Sequence, residues 1–262
     1  MLDVRSIPFL PMVIAVVLSL FALPARGSDS KGVHFDGDRF TVKDGSLSFR
    51  GVVVKPSGNG PFPAILISHG LGGDGERFGR QKAREFVKAG YVCISPDYAH
   101  IRGGERKDFG ASAENLRRAR KCLDILESIK DVDSKRLYAY GNSMGAFLTI
   151  GLAAEEPKRL AAAAVTAGGI APVDGQPAPS KARAAKIKIP ILILHGTADT
   201  TVPPERSQML ADVLKTNNTP HDRKLFDGVG HELHVAKAND VNALILKWFD
   251  AKGRTHKATA SR

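Results

Sequence analysis

Residues 137–155, LYAYGNSMGAFLTIGLAAE, are the most informative segment of this sequence for its fold. The residue pattern of this segment predicts a strand from Arg136 to Tyr140 and a helix from Ala146 to Glu155. Between them stands the pentapeptide Gly141-Asn142-Ser143-Met144-Gly145, with a glycine two residues on either side of Ser143. Glycine lets a strand and a helix approach each other without colliding side chains. We therefore expect Ser143 to stand on a sharp strand-to-helix turn, in a strained backbone conformation.

Strands and helices alternate along the rest of the chain. Continuous apolar runs predict strands buried on both faces, which are Ala64 to Ile67, Tyr91 to Ser95 and Ile189 to Leu194. A weaker strand is predicted from Ala161 to Val165, and a further strand from Lys224 to Phe226. Helical spacing predicts the helices, which run from about Phe78 to Lys88, Ser112 to Ile129, Pro204 to Lys215 and Val235 to Phe249. This alternation implies crossover connections between parallel strands.

The beginning of the folded region has a different pattern. Phe40 to Val42 and Leu47 to Phe49 alternate in polarity around a turn, and Val52 to Val54 adds a further strand. The fold class that we expect is therefore α/β: a mixed, mostly parallel sheet with helices on both faces and antiparallel N-terminal strands. The connection from Gly168 to Ile187 is too short and irregular for a cap domain, so we expect a minimal cap.

The N-terminus has the pattern of a targeting segment. An apolar run from Ile7 to Leu23 precedes the small residues around Gly27. This order is typical of a secretory signal peptide, residues 1–27, cleaved after Gly27. We therefore expect an exported protein, periplasmic or secreted. Because Asp3 offsets Arg5 in the segment that should be positive, an uncleaved membrane anchor is the alternative.

The chain carries a formal net charge of +11. Part of this charge lies in residues 252–262, whose basic residues are Lys252, Arg254, Lys257 and Arg262 and which contain no acid. We expect this tail to be disordered and to follow a single domain over residues 28–251. A basic surface would be attracted weakly to an anionic envelope, whereas nothing resembles a nucleic-acid-binding motif. The sequence leaves the oligomeric state open.

The two cysteines, Cys93 and Cys122, fall in an apolar strand and on a predicted helix. Export makes a disulfide between them the alternative, but this placement favours two separate buried thiols. Neither cysteine has the spacing of a metal or redox motif. We expect no metal and no cofactor.

We expect Ser143 to act as a nucleophile, because a serine hydroxyl becomes a good nucleophile when a base lies beside it. Asp199 follows the strongest strand, where a carboxylate can orient an imidazole; a turn or helix-capping role is the alternative. His231 follows the last strand and is the expected base, with His234 as its competitor. Ser143, Asp199 and His231 thus occur in the order nucleophile, acid, base that accompanies this type of strand-to-helix turn.

Two backbone N–H groups are candidates to bind a developing oxyanion. One belongs to Met144, at the start of the helix that follows Ser143. The other belongs to Leu71, in the loop after the first buried strand, with Gly72 as the alternative. We expect His69, which begins this loop, to brace it by hydrogen bonds rather than to act as a base.

These motifs together resemble one branch of a known superfamily. They are Phe62-Pro63-Ala64 leading to Ser68-His69-Gly70, Gly90-Tyr91-Val92 leading to Pro96-Asp97-Tyr98, the Ser143 pentapeptide, His195-Gly196 with Asp199, and Gly230-His231. From about Lys43 to Phe249 the chain is similar to the dienelactone-hydrolase-like and prolyl-oligopeptidase-like branch of the α/β-hydrolases. The resemblance implies a structural role for Asp97 in a Pro-Asp-Tyr turn.

Two departures from these families bear on the expected activity. Dienelactone hydrolases carry Cys as their nucleophile, whereas this chain has Ser143, which favours ester hydrolysis over the dienelactone reaction. The oligopeptidases carry an N-terminal propeller for which this sequence has no counterpart, so selective peptide cleavage is not expected.

We therefore expect an exported serine hydrolase that cleaves small-molecule carboxylic esters through an acyl-enzyme intermediate and a Ser-His-Asp triad. The alternatives are a peptidase or amidase with the same triad, and a secreted binding protein with an inactive site. The polar loop from Arg102 to Arg106 either lines the substrate pocket, where it would contact an anionic substrate, or is a solvated loop.

Overall fold

The computed structural model describes residues 32–172 and 175–259. The predicted signal peptide, residues 1–27, lies outside the described residues together with its cleavage site, and so do residues 260–262 at the end of the predicted tail.

The described residues form one sheet of nine strands. The strands are β1 (Val33–Asp36), β2 (Arg39–Asp44), β3 (Leu47–Val54), β4 (Phe62–Ser68), β5 (Val92–Pro96), β6 (Val132–Asn142), β7 (Ala162–Thr166), β8 (Ile191–Gly196) and β9 (His221–Phe226). Their order across the sheet is β1-β2-β3-β5-β4-β6-β7-β8-β9. The pairs β1–β2, β2–β3 and β3–β5 are antiparallel, and the pairs from β5 to β9 are parallel. The predicted mixed, mostly parallel sheet is confirmed.

Helices α1 to α5 lie between the parallel strands along the chain, and α6 and α7 follow the last strand. Over the described residues they are α1 (Arg77–Lys88), α2 (Ala113–Ser128), α3 (Met144–Glu155), α4 (Lys181–Ala184), α5 (Glu205–Thr216), α6 (Leu233–Ala236) and α7 (Ala238–Thr259). Two 3₁₀ turns, Ala99–Arg102 and Arg106–Asp108, lie between β5 and α2. The α2 helix begins where Ser112 accepts a hydrogen bond from the backbone N–H of Asn115, which satisfies one donor of the first turn.

The sheet is covered on both faces, which explains the continuous apolar runs. Along β4, Ala64 and Leu66 belong to one hydrophobic cluster and Ile65 and Ile67 to another. Successive side chains of a strand point to opposite faces, so these two clusters are the two sides of the sheet. The first cluster contains side chains of α2, α3 and α5, and the second contains side chains of α1 and α7. Helices on both faces are thereby confirmed.

Several predicted boundaries were wrong. The two strands predicted between Leu47 and Val54 form the single strand β3, which pairs with β2 on one side and β5 on the other. The closing helix begins at Ala238 rather than Val235, because Lys237 leaves helical geometry with φ −128° and ψ 38°. Within the connection Gly168–Ile187, the described part contains only the one-turn helix α4 and no cap domain.

Helix α7 continues to Thr259, beyond the start of the basic tail at Lys252, and the disorder of that tail stays a prediction. Two contacts favour this continuation. The Lys252 ammonium lies 4.6 Å from the centroid of the Trp248 ring, which is a cation–π distance. Gly253 packs so closely against the Tyr138 hydroxyl that a Cβ atom at position 253 would lie 2.1 Å from that oxygen.

The remaining predictions on the fold concern cysteines and membrane spans. Cys93 and Cys122 are both buried and free, as predicted. Burial in apolar surroundings raises the pKa of each thiol, so neither is a reactive thiolate at neutral pH. Among the described residues, no helix combines the length and the apolar character that a bilayer crossing requires.

Candidate active site

Ser143 stands at the turn between β6 and α3. Its backbone has φ 54° and ψ −118°, a conformation that non-glycine residues rarely adopt. The backbone N–H of Ser143 donates to the carbonyl of Thr166 on β7 at 3.0 Å, which ties the turn to the neighbouring strand. The strained elbow predicted from the sequence is therefore present, at the carboxyl end of a central parallel strand.

The two glycines of the pentapeptide lie where there is no room for a side chain. A Cβ atom on Gly141 would lie 2.1 Å from the carbonyl oxygen of Gly145. A Cβ atom on Gly145 would lie 2.1 Å from the carbonyl oxygen of Ser68, at the end of β4. Both obstacles are backbone atoms, which cannot move aside as a flexible side chain can. The glycines thus hold β4, β6 and α3 close enough together to position Ser143.

The structure brings together the three residues predicted as nucleophile, base and acid. The Nε2 atom of His231 lies 2.8 Å from the Oγ atom of Ser143. The Nδ1 atom of His231 lies 2.8 Å and 3.0 Å from the two carboxylate oxygens of Asp199. Since a carboxylate only accepts hydrogen bonds, Nδ1 is the donor and carries the proton of a neutral ring. Nε2 is then an acceptor that faces the Ser143 hydroxyl.

Asp199 is buried at the centre of a set of donors. Its Oδ1 atom accepts hydrogen bonds from the backbone N–H groups of Thr201 and Val202, at 3.0 Å and 2.9 Å. Burial by itself would raise the pKa of this carboxyl group, but hydrogen bonds from His195, His231 and Val202 outweigh it and hold the pKa below its usual range. Asp199 is therefore ionised at neutral pH.

His195 is a neighbour of Asp199 to which sequence reasoning assigned no role. Its Nε2 atom lies 3.1 Å from the Oδ2 atom of Asp199, and its side chain is fully buried. The signals in the sequence are its place in the His195-Gly196 motif and its position four residues before Asp199, at the end of the strongest strand. That spacing does not reveal the contact, because the conformation of the loop after β8 determines whether Asp199 lies beside the ring.

The loop after β4 passes in front of Ser143. A Cβ atom on Gly70 would lie 3.4 Å from the Cβ atom of Ser143, so the two segments are in van der Waals contact. Leu71 and Gly72 both line the pocket at Ser143. On the other side, Met144 is the first residue of α3, and N–H groups in a first turn have no acceptor within the helix. Both predicted oxyanion donors therefore belong to segments beside Ser143.

His69 braces this loop from inside. The Nδ1 atom of its ring lies 3.0 Å from the carbonyl oxygen of Gly70, and its Nε2 atom lies 3.1 Å from the carbonyl oxygen of Pro96. Burial lowers the pKa of His69 to about 4, so the ring is neutral at physiological pH. A neutral ring carries one N–H group, so it donates to one of these two carbonyl oxygens, which agrees with the bracing role predicted from the sequence.

Asp97 lies in a separate structural network. Its Oδ2 atom accepts a hydrogen bond from the Nε atom of Arg50 at 2.9 Å, and its Oδ1 atom accepts one from the backbone N–H of Gly75 at the same distance. The carboxylate thereby joins β3 to the turn before α1. This arrangement matches the structural role that the family resemblance implies.

A pocket of about 450 Å³ opens in front of Ser143 and His231. Apolar and polar side chains both contribute to its wall, among them Leu71, Phe78, Phe147, Val202, Arg77, Gln81, Arg106 and Gln176. Arg106 belongs to the polar loop for which two roles are open, and the structure places this residue on the pocket wall. The pocket is large enough for a small organic molecule.

His234, the competitor for the role of base, also lines this pocket. The residue in contact with Ser143 and Asp199 is nevertheless His231. Burial, together with the nearby charges of Lys82 and His231, lowers the pKa of His234 to about 4. Among the residues that the structure describes, no group of three or more His, Cys, Asp or Glu side chains is placed to hold a metal ion.

The class of protein follows from these features. A mostly parallel sheet with helices on both faces, a serine on a strained elbow, and an acid and a histidine after later strands define an α/β-hydrolase. A model of the dienelactone hydrolase family matches residues 49–252 of the chain. The chain therefore belongs to the dienelactone hydrolase family, a family of hydrolases.

Individual relatives agree with this assignment. A protein of Yersinia pestis named as a candidate carboxymethylenebutenolidase is 24% identical over 231 residues, which cover 77% of this chain and 83% of that protein. The esterase EstD of Thermotoga maritima is 30% identical over 127 residues, which cover 44% of this chain and 30% of that esterase.

Solved structures show the same fold. The acylaminoacyl peptidase of Pyrococcus horikoshii superposes with a TM-score of 0.68 at 17% identity, over 82% of this chain and 41% of that chain. This chain thus spans less than half the length of that peptidase. At this level of identity the likeness concerns the fold.

Proposed function

We propose that this protein is an exported serine hydrolase that cleaves small-molecule carboxylic esters, with Ser143 as nucleophile, His231 as base and Asp199 as orienting acid. The observation that carries the proposal is the 2.8 Å contact between Ser143 Oγ and His231 Nε2. It leaves the hydroxyl beside a base whose other nitrogen donates to a carboxylate, which is the arrangement that activates serine.

In the first half of the reaction, Ser143 Oγ attacks the acyl carbon of the ester and its proton passes to His231 Nε2. The carbonyl oxygen becomes an oxyanion, which the backbone N–H groups of Met144 and Leu71 stabilise. The tetrahedral intermediate then collapses. The C–O bond to the alcohol breaks, the alcohol takes the proton from His231, and the acyl group remains on Ser143.

In the second half, water takes the place of the alcohol. His231 removes a proton from the water molecule as its oxygen attacks the acyl carbon, and the same two N–H groups hold the new oxyanion. Collapse breaks the bond to Ser143 Oγ, which recovers its proton from His231. Asp199 stabilises the imidazolium in both halves through the hydrogen bond to Nδ1.

Export is supported by the sequence alone. The apolar run from Ile7 to Leu23 and the small residues around Gly27 have the order of a cleavable signal peptide. Expression of the full chain with a C-terminal tag, fractionation, and mass spectrometry of the mature N-terminus test this part. A mature chain that begins at Ser28 supports it, and a cytoplasmic chain with an intact N-terminus contradicts it.

A chain-length series of p-nitrophenyl esters tests the activity. Because the cap is minimal and polar side chains share the pocket wall, we expect kcat/KM to be highest for short acyl chains and to fall for long ones. Ser143→Ala is expected to lose at least about 10³-fold in kcat, since the nucleophile is removed. A maximum at long acyl chains contradicts the view of the pocket, and an active Ser143→Ala protein contradicts the proposal itself.

Matched ester and anilide substrates decide which bond is cleaved. An amine leaves less readily than an alcohol and needs better-timed protonation. We expect the ester to be cleaved and the anilide of the same acyl group to be a poor substrate. Preferential cleavage of the anilide would make the protein an amidase, and the absence of both reactions would leave a binding protein with an inactive site.

A further inference from the structure

The neighbour of Asp199 on β8, His195, has a hydrogen-bonding pattern that fixes its tautomer. Its Nε2 atom lies 3.1 Å from Asp199 Oδ2 and 2.9 Å from the carbonyl oxygen of Val202. Both neighbours are acceptors, so Nε2 carries a hydrogen and shares it between them. In a neutral ring the other nitrogen, Nδ1, is then an unprotonated acceptor.

That second nitrogen is buried without a hydrogen-bond partner. An acceptor buried in this way lowers stability, and an apolar ring of similar size would fill the same space without this penalty. Packing in the core therefore does not explain why a histidine occupies this position. Its distinctive feature is the single donor that it shares between Asp199 Oδ2 and the carbonyl oxygen of Val202, two groups of the same turn.

The two oxygens of Asp199 are held differently. Oδ1 accepts from the backbone N–H groups of Thr201 and Val202, which belong to the turn of Asp199 itself. Oδ2 is the oxygen nearer to His231 Nδ1, at 2.8 Å, and His195 provides the other donor to it. Without His195, the backbone of its own turn would hold the carboxylate at Oδ1, and the only donor left at Oδ2 would be His231, the residue that Asp199 has to orient.

We propose that His195 is a positioning residue for the reaction: its Nε2–H group fixes Oδ2 of Asp199 and thereby the orientation of the His231 ring. The inference rests on the proposed roles of Asp199 and His231. His195 does not line the pocket, so it acts on the chemical step through Asp199 and leaves the binding of the ester unchanged.

A hydrogen bond from His195 also withdraws negative charge from Oδ2. Its removal leaves more charge facing His231 Nδ1, which favours the imidazolium form of His231. The acidic limb of the pH profile of kcat/KM is therefore expected to move to higher pH when the donor is removed. A purely structural role of His195 would lower the amount of folded protein without moving this limb.

Two variants separate the donor from the volume of the ring. His195→Phe keeps a planar ring and removes the donor, whereas His195→Gln places an amide N–H near the position of Nε2. With a p-nitrophenyl ester, we expect His195→Phe to lose about 10- to 100-fold in kcat, the value of one hydrogen bond to a charged group, with little change in KM. His195→Gln is expected to recover most of the loss. A folded His195→Phe protein with wild-type kcat and an unmoved acidic limb overturns the proposal.

A measurement on the wild-type protein keeps the inference testable if His195→Phe does not fold. Nitrogen-15 NMR of labelled histidine distinguishes a protonated from an unprotonated ring nitrogen. We expect His195 to carry its proton on Nε2 with Nδ1 unprotonated, and the opposite tautomer overturns the proposal. This result does not depend on turnover: if the wild type hydrolyses no ester, the proposed function fails, while the tautomer still reports on the contact between His195 and Asp199.

Discussion

The Nε2 atom of His231 lies 2.8 Å from the Oγ atom of Ser143, although 88 residues separate them in the chain. The two residues follow different strands, β6 and β9, and two further strands lie between these in the sheet. Because β6 to β9 are parallel, the loops that follow them leave the sheet at the same edge. The contact is thus a product of the sheet topology.

The close packing at the elbow predicts a large effect for Gly145→Ala. The added methyl group would lie 2.1 Å from the backbone oxygen of Ser68, so β4 and α3 have to separate. We expect the free energy of unfolding, measured by urea denaturation, to fall by at least about 2 kcal/mol. The rate of ester hydrolysis is expected to fall as well.

Gly72→Ala is the matched control, because a Cβ atom on Gly72 meets nothing within 4 Å. Its free energy of unfolding is expected to stay within about 0.5 kcal/mol of the wild type. Equal losses of stability in the two variants would contradict the claim that there is no room for a side chain at position 145.

The two buried aspartates are expected to respond differently to the same substitution. Asp199→Asn removes the charge that stabilises the imidazolium and disturbs the tautomer of His231, so kcat should fall by roughly 10³- to 10⁴-fold. Asp97→Asn weakens the contacts with Arg50 and Gly75, so we expect about 1–2 kcal/mol less stability and kcat within about tenfold of the wild type. The comparison needs kcat for an ester and a urea melt for each variant. A greater loss of kcat in Asp97→Asn than in Asp199→Asn would refute the assignment of the two carboxylates.

Because the amine of Lys82 is buried, we expect the stability of the protein to depend on pH through this group. Its ammonium is buried in α1, donates to the backbone oxygen of His234 and to Asn242 Oδ1, and burial lowers its pKa from 10.5 to about 8. Between these two values the unfolded chain holds a proton that the folded protein has lost, so this group makes the folded state more stable as pH rises.

The measurement for Lys82 is the difference in free energy of unfolding between the wild type and Lys82→Met. From pH 7 to pH 10 we expect it to shift by roughly 2 to 3 kcal/mol in favour of the wild type. Groups common to both proteins, such as the buried tyrosines, cancel in the difference. A difference that does not vary with pH would show that the amine has an ordinary pKa.

Much of this fold could be predicted from the sequence because its determinants are local. The run Ala64 to Ile67 is apolar at every position since β4 is covered on both faces. The pentapeptide around Ser143 specifies its own turn through the glycines and the strand and helix that flank it. Asp199 and His231 could be chosen because each follows a strand whose carboxyl end must lie at the same edge as Ser143.

Features that depend on distant contacts could not be predicted. The position of β5 between β3 and β4 is a matter of pairing across the sheet, and no local pattern encodes it. The continuation of α7 beyond Lys252 depends on packing against Tyr138, which lies on β6. The contact between His195 and Asp199 and the place of Arg106 on the pocket wall depend on loop conformations that composition does not specify.

The most direct test of the central claim, that Ser143 is an activated nucleophile, is covalent labelling with a fluorophosphonate followed by mass spectrometry of the digested protein. We expect a single adduct, located on the peptide that contains Ser143. Labelling should be absent in Ser143→Ala and strongly slowed in His231→Ala, because the base that activates the hydroxyl is then missing. A folded wild-type protein without an adduct on Ser143, or equal labelling of Ser143→Ala, would contradict the account.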